Sequence, residues 1–214
     1  MSILSRKDQI KAFNRETILN AAESLISQSN KGIDGVTMDD IAKASEFTKR
    51  TLYQYFENKD QIQFELMIRG HKIIYGYLEK TISDDIDGLE QLKRLGKALY
   101  QVSIDDPLHF WLVMDYQNKM SDFQTNQALM AETYRVGELS MQLLISAVRK
   151  GKNDGSMDPS IDETYTAFSV WSCLLGMINT AKVKHNYMVY GHKIQIEKWL
   201  ETTFSMILNS IRKA

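Results

Sequence analysis

Apolar positions recur three or four residues apart along most of this chain, and no stretch holds a period of two, so the pattern predicts an all-helical protein. Ile62, Leu66, Ile73 and Leu78 follow Asn58 at helical spacing until the polar cluster Ser83-Asp84-Asp85 interrupts them. Leu92, Leu95, Leu99 and Val102 mark one face of a helix over 89–102. Further helices are predicted over 108–120, over 126–152 with Arg149-Lys150-Gly151 as its end, from Pro159 to about His185, and from about Gly191 to Ile211. In the last of these, Ile194, Trp199, Phe204, Ile207 and Ile211 form the expected buried stripe. Both prolines follow an aspartate, Asp106-Pro107 and Asp158-Pro159, and read as helix openers, because a first-turn proline gives up no amide that the helix needs.

The pattern is most specific over Val36–Lys59. Two short helices are predicted there, each opened by a threonine whose hydroxyl can accept an orphan amide hydrogen, Thr37 and Thr48. Each threonine is flanked by an apolar pair, Val36 with Ile41 and Phe47 with Leu52, that fits a hydrophobic staple fixing the entry angle. The connector Ser45-Glu46-Phe47 has the length used in helix-turn-helix units. Ile41, Ala42, Leu52 and Phe56 can then turn inward, leaving Lys49, Arg50, Tyr53, Gln54 and Tyr55, residue types that bind phosphates or read base edges, on other faces. Asn58, with Gln61 three residues on, reads as the capped start of the next helix.

These residues, Ile41-Ala42-Lys43, Phe47-Thr48-Lys49 and Thr51-Leu52-Tyr53-Gln54-Tyr55-Phe56 with Lys59, resemble the N-terminal DNA-binding domain of the tetracycline-repressor (TetR) family of bacterial regulators. Arg15-Glu16-Thr17-Ile18-Leu19-Asn20-Ala21-Ala22 with Leu25 resembles the first helix of that domain. Two positions depart from it: Glu46 stands where the family usually has Gly in the turn, and Arg50 where it usually has a small residue. A left-handed Glu46 would cost roughly 1 kcal/mol. The resemblance implies a three-helix DNA-binding head over 1–60 and a larger helical body for ligand binding and dimerisation over 61–214. It implies that Thr37, Thr48, Tyr53, Tyr55 and Lys59 hold phosphates, that Lys49, Arg50 and Gln54 approach base edges, and that Arg6 or Lys7 reaches the minor groove. The partners implied are a pseudo-palindromic double-stranded DNA operator, a second copy of the chain through the last two helices, and a small hydrophobic or aromatic effector. Trp171, Leu174, Leu175, Ile178, Trp199 and Phe204 are the interface candidates.

Composition narrows the picture. With 214 residues and 43% hydrophobic content a sizeable core is available, while a formal net charge of −1 means that DNA binding must lean on local charge and paired half-sites rather than on bulk basicity. Arg6, Lys7, Lys11 and Arg15 cluster at the start, and Lys49, Arg50 and Lys59 mark the recognition segment. One cysteine, Cys173, excludes an intrachain disulfide and reads as a buried small hydrophobe. The first residues lack the apolar segment of a secretory signal, so the cytoplasm is the expected location. Thr164–Ala181 carries no charge, but its polar side chains favour a helix buried in protein over one in lipid.

The four histidines read as ordinary surface or boundary residues with no metal-ligand spacing. The pairs Asp84-Asp85, Asp105-Asp106 and Asp162-Glu163 read as helix-start carboxylates. No phosphate loop or nucleophile elbow is present, so neither an enzyme nor a bound cofactor or metal is expected. The body is rich in large, soft side chains, Phe110, Trp111, Met114, Tyr116, Met130, Tyr134, Met141, Phe168, Trp171 and Met177, which serve either as core or as the walls of an adaptable effector pocket. Asp115 and Glu138 are candidates for a cationic effector. The expected function is a dimeric, ligand-responsive repressor. The alternatives are a DNA-bound adaptor that recruits another protein, and a helical ligand carrier with an inactive DNA head.

Overall fold

The computed structural model describes residues 5–29, 31–119 and 128–213, with side chains described outside 116–130. Among them there is no strand, and the elements run α1 (Arg6–Gln28), a short 3-10 turn (Gly32–Gly35), α2 (Met38–Ala44), α3 (Lys49–Tyr55), α4 (Lys59–Glu79), α5 (Gly88–Asp105), α6 (Pro107–Lys119), α7 (Ala128–Asp154), α8 (Glu163–Val183) and α9 (Ile196–Ile211). The all-helical expectation holds. The chain forms two compact units, one from the described residues of Met1–His71 and Leu108–Tyr134, the other from Lys72–Pro107 and Arg135–Ala214.

In the first unit, Ile18, Leu19, Ala22 and Ile26 of α1 meet Ile41 and Ala42 of α2, Leu52 of α3, Phe56, and Ile62 and Leu66 of α4 in one core, with Leu112 of α6. The inward set read from the sequence is therefore correct: Ile41 and Leu52 are fully buried, and Ala42 and Phe56 nearly so. α6 begins at Pro107 as expected of an Asp-Pro opener. Its Val113 and the His109 carbonyl lie so near Gly70 that a Cβ there would stand 2.8 and 2.9 Å from them.

In the second unit, α5 buries Leu92, Leu95, Leu99 and Val102, the face its spacing predicts. Its cap is Asp87, which accepts from the Glu90 amide at 2.7 Å, rather than the Asp84-Asp85 pair. Three other boundaries differ from the sequence reading. α7 runs through Gly151 and stops at Asp154, because the left-handed residue that ends it is Gly155, with φ 79°. Gly151 instead lets Met157 pack on the helix: an added Cβ would lie 2.6 Å from that side chain. α8 opens at Asp162, which accepts from the Tyr165 amide at 2.8 Å, so Asp158-Pro159 belongs to the preceding turn. α9 starts at Ile196 after a single π turn over Tyr187–Gly191. Its buried stripe is Leu200, Phe204 and Leu208, whereas Ile194, Trp199, Ile207 and Ile211 are only half-buried. Cys173 is exposed, not buried, since α8 turns Ala167, Val170, Leu174, Met177, Ile178 and Ala181 inward. Of the histidines, His71 and His109 are buried while His185 and His192 are exposed. Among the described residues no helix is long and apolar enough to cross a membrane.

Candidate nucleic-acid interface

α2 is set by a complete capping box. The Asp40 amide donates to Thr37 Oγ1 at 3.2 Å, and the Thr37 amide donates to Asp40 Oδ2 at 3.0 Å. The bond from the Thr37 hydroxyl, followed by that from its amide, holds the Asp40 carboxyl below the usual carboxylate range. At the other end of α2 the Phe47 amide donates to the Ala42 carbonyl at 3.0 Å and the Glu46 amide to that of Lys43 at 3.2 Å, the paired bonds of a Schellman turn. Glu46 occupies its left-handed position with φ 61°. Phe47 then packs against the core, and Thr48 caps α3 by accepting from the Thr51 amide at 3.1 Å. Two caps and one tight turn thus fix α3 against α2 as a helix-turn-helix.

On α3, Lys49, Arg50, Tyr53 and Gln54 are exposed while Leu52 is buried, so the helix offers a polar face of two cations, an amide and a phenol. Lys49 Nζ lies 2.7 Å from Asp39 Oδ1, and the bond and charge of that carboxylate push its pKa up. Thr37 and Thr48 are exposed at the helix starts. Two other predicted phosphate ligands have internal partners. The half-buried Tyr55 hydroxyl accepts from Asn14 Nδ2 at 2.8 Å. Lys59 Nζ donates to the carbonyls of Ile33 at 3.1 Å and Val36 at 3.2 Å, tying α4 to the strand-like entry of α2.

Arg15, counted from the sequence with the basic cluster at the start of the chain, is a brace instead. It donates to the Tyr55 carbonyl at 2.6 Å, pairs with Glu65, and lies 4.2 Å over the Phe56 ring. A second brace was not read from the sequence at all. Arg69 of α4 bonds Glu16 at 2.5 Å and Glu23 at 2.6 Å on α1, and Glu23 meets His109 Nε2 of α6 at 2.8 Å. Burial alone would raise the Glu23 pKa, but the bond from His109 and the charge of Arg69 outweigh it and hold the carboxyl below its ordinary value. The partners are far apart in sequence, so no local spacing signals them.

The remaining predicted residues scatter. Phe110 is fully buried and packs edge-on against Trp111, at 5.1 Å between ring centres, and Met114 is buried beside them in the first unit. Tyr134 is 39% exposed. Met141 and Met177 are buried in the second unit, where Trp171 is half-buried and Phe168 half-exposed. Tyr116 and Met130 lie outside the described side chains. Asp115 and Glu138 face solvent, the latter accepting from Gln142 at 2.5 Å. Of the interface candidates, Leu174, Ile178 and Phe204 are buried within the single chain, and Trp171, Leu175 and Trp199 are half-exposed. Among the described residues, no group of three or more His, Cys, Asp or Glu side chains is placed to hold a metal ion.

A capped helix-turn-helix with a polar third helix, set ahead of a long helical body, defines a DNA-binding transcriptional regulator. Residues 18–66 match the model of the family "Bacterial regulatory proteins, tetR family", and this segment, which holds α2, α3 and the turn between them, carries that family's signature. It is 25% identical over 174 residues to the uncharacterized HTH-type transcriptional regulator YwcC of Bacillus subtilis, covering 78% of this chain and 76% of that one. It is 33% identical over 90 residues to IcaR, the negative transcriptional regulator of the biofilm operon icaADBC in Staphylococcus epidermidis, covering 41% of this chain and 46% of that one. Among solved structures, AibR in complex with isovaleryl coenzyme A and operator DNA shares the fold at a TM-score of 0.63, with 20% identity over 90% of this chain and 97% of that one.

Proposed function

We propose that this regulator is a homodimeric repressor that holds a pseudo-palindromic operator with two copies of α3 and is released by a small apolar effector taken up by its helical body. The observation that carries the DNA part is the exposed row Lys49, Arg50, Tyr53 and Gln54 on a helix fixed by Thr48 and the Glu46 turn. Lys49, Arg50 and Gln54 are the types that fork to guanine or adenine edges, while Tyr53 and the capping threonines suit phosphate oxygens. Two such helices related by a twofold axis would meet half-sites roughly 34 Å apart or a multiple of that.

Repression is supported by the likeness to IcaR, a negative regulator, and effector control by the likeness to AibR, which was solved with both an acyl coenzyme A and DNA. Dimerisation is supported by the outer face of α8. Tyr165, Phe168 and Val183 are 78%, 50% and 63% exposed there, with no charged residue between Glu163 and Lys182. On α9 Met206 is exposed and Trp199 and Ile207 are half-exposed beside it. Release requires that the effector bind the DNA-free arrangement more tightly than the DNA-bound one.

The test is a footprint on genomic fragments selected by the protein. A protected, dyad-symmetric site close to a promoter, with reduced transcription from that promoter in vitro, is the expected result. Retention of DNA without sequence preference would overturn the reading.

A further inference from the structure

The second unit contains a groove of about 280 Å³ between α5, α8 and α9 that the regulatory reading does not use. Its floor is apolar, made by Leu174, Met177 and Ile178 of α8 with Leu200 and Phe204 of α9. Gly96 of α5 shapes it: a Cβ at that position would stand 2.3 Å from the Phe204 ring, so the ring lies directly on the α5 backbone. Only Met177 belongs to the aromatic and methionine set considered for the effector. The groove also lies away from the exposed outer faces of α8 and α9, because on α9 it is bordered by Glu197, Glu201 and Ser205, not by Trp199, Met206 and Ile207.

The rim carries opposite charges on opposite sides. Lys93 and Lys97 of α5 stand on one side, Glu197 and Glu201 of α9 on the other, with Tyr100 and Gln101 at the α5 edge. Lys93 lies 3.4 Å from Glu90, a carboxylate it shares with Arg94 at 3.3 Å, and Lys97 lies 3.7 Å from Glu201. Glu197 has no ion-pair partner among the described residues. Burial, and then the negative charge of Glu197, push the Tyr100 hydroxyl pKa up, which places that carboxylate within electrostatic reach of the groove. An anionic ligand would have to draw a lysine from its carboxylate and approach Glu197. A cationic one meets Glu197, a first-turn carboxylate of α9 with no side-chain ion pair among the described residues, Glu201, held only at 3.7 Å, and the aromatic rings of Tyr100 and Phe204.

We infer that this groove binds a small amphipathic organic cation, its apolar body on the Met177, Leu200 and Phe204 floor and its ammonium group against Glu197, with Glu201 and the Tyr100 ring completing the cation's surroundings. The volume suits one ring with a short alkyl chain rather than a drug-sized molecule. The site is small, partly open and mostly apolar, so selectivity between charge types rests on Glu197 more than on shape.

The experiment titrates the full-length, DNA-free protein by calorimetry with three probes that share one apolar body: phenylbutylammonium, phenylbutanol and phenylbutanoate. Because no DNA is present, its outcome does not depend on the regulatory proposal. The ammonium probe is expected to bind one per chain and at least about tenfold more tightly than the other two, a difference of about 1.4 kcal/mol. Glu197→Gln changes an exposed side chain and should abolish that preference while leaving the weak binding of the alcohol unchanged. Ser205→Trp, which fills the groove from its rim, should remove binding of all three. Equal or tighter binding of the carboxylate probe, or an unchanged ammonium affinity in either variant, would overturn the assignment.

Discussion

Glu46 shows how one residue can be tolerated where another is preferred. Its φ of 61° lies in the left-handed region, and the two Schellman bonds around it hold it there because α2 must end and Phe47 must return to the core. Glycine would adopt the same angles without the Cβ clash, although it would also gain freedom in the unfolded chain. The net expectation for Glu46→Gly is stabilisation by roughly 0.5–1 kcal/mol, seen as a higher thermal midpoint with operator affinity unchanged. A lower midpoint would show that the glutamate side chain contributes more than its backbone costs. His71 gives a second residue-scale test. Burial lowers its pKa from 6.5 to about 4, so in the folded chain it stays neutral over a range in which the unfolded chain takes up a proton. The folded pKa lies below the unfolded one, so this stability is complete above pH 6.5, declines as pH falls towards about 4, and declines no further below that. The total is on the order of 3 kcal/mol. Urea titrations of the wild type and His71→Gln at a series of pH values should differ in slope inside that window and run parallel outside it.

Among the elements, those with local signals were legible and those set by distant neighbours were not. Thr37, Thr48 and Asn58 were readable as caps because each bond spans three residues, and the structure forms all three. Even here one detail needed the coordinates: Gln61 reaches back to the amide of Glu57 rather than to that of Asn58. The exposed face of α3 was legible for the same reason, since Leu52 and Phe56 had to turn inward. Lys59 was not, because its partners, the Ile33 and Val36 carbonyls, are more than twenty residues away, and nothing local separates a lysine that ties two segments from one that waits for phosphate. Lys59→Ala is therefore expected to cost about 1–2 kcal/mol of folding stability, by urea unfolding, in addition to any uniform loss of DNA affinity. A variant as stable as the wild type would return Lys59 to a purely DNA-facing role. Gly151 resembles a helix end in the sequence for a like reason, since its purpose is contact with Met157, which no helix-end rule contains. Gly96 makes the same point on α5: Gly96→Ala should destabilise by roughly 1–3 kcal/mol through the clash with Phe204, with the midpoint of urea unfolding as the measure.

For the whole molecule, charge sets the question that size and fold leave open. A chain of net charge −1 gains little from general attraction to DNA, and two of its head cations, Arg15 and Lys59, are occupied inside the first unit. A single head would therefore bind weakly, and in the proposed dimer two heads joined at fixed spacing would make the second binding step intramolecular. The outer face of α8 is the surface proposed for that join, and Phe168 is half-exposed on it. A charge at that position leaves the inward residues Ala167, Val170 and Leu174 untouched, so Phe168→Glu should keep its helical content and thermal midpoint near those of an unassociated chain. In sedimentation it should run as a monomer, and its affinity for the full operator should fall about a hundredfold or more, to the level of one half-site. The salt dependence should fall with it, since about half the phosphate contacts are lost and the slope of log affinity against log salt follows their number. A monomeric Phe168→Glu protein that still bound the full operator with wild-type affinity and slope would show that one head suffices, and the dimeric reading of this regulator would then have to be given up.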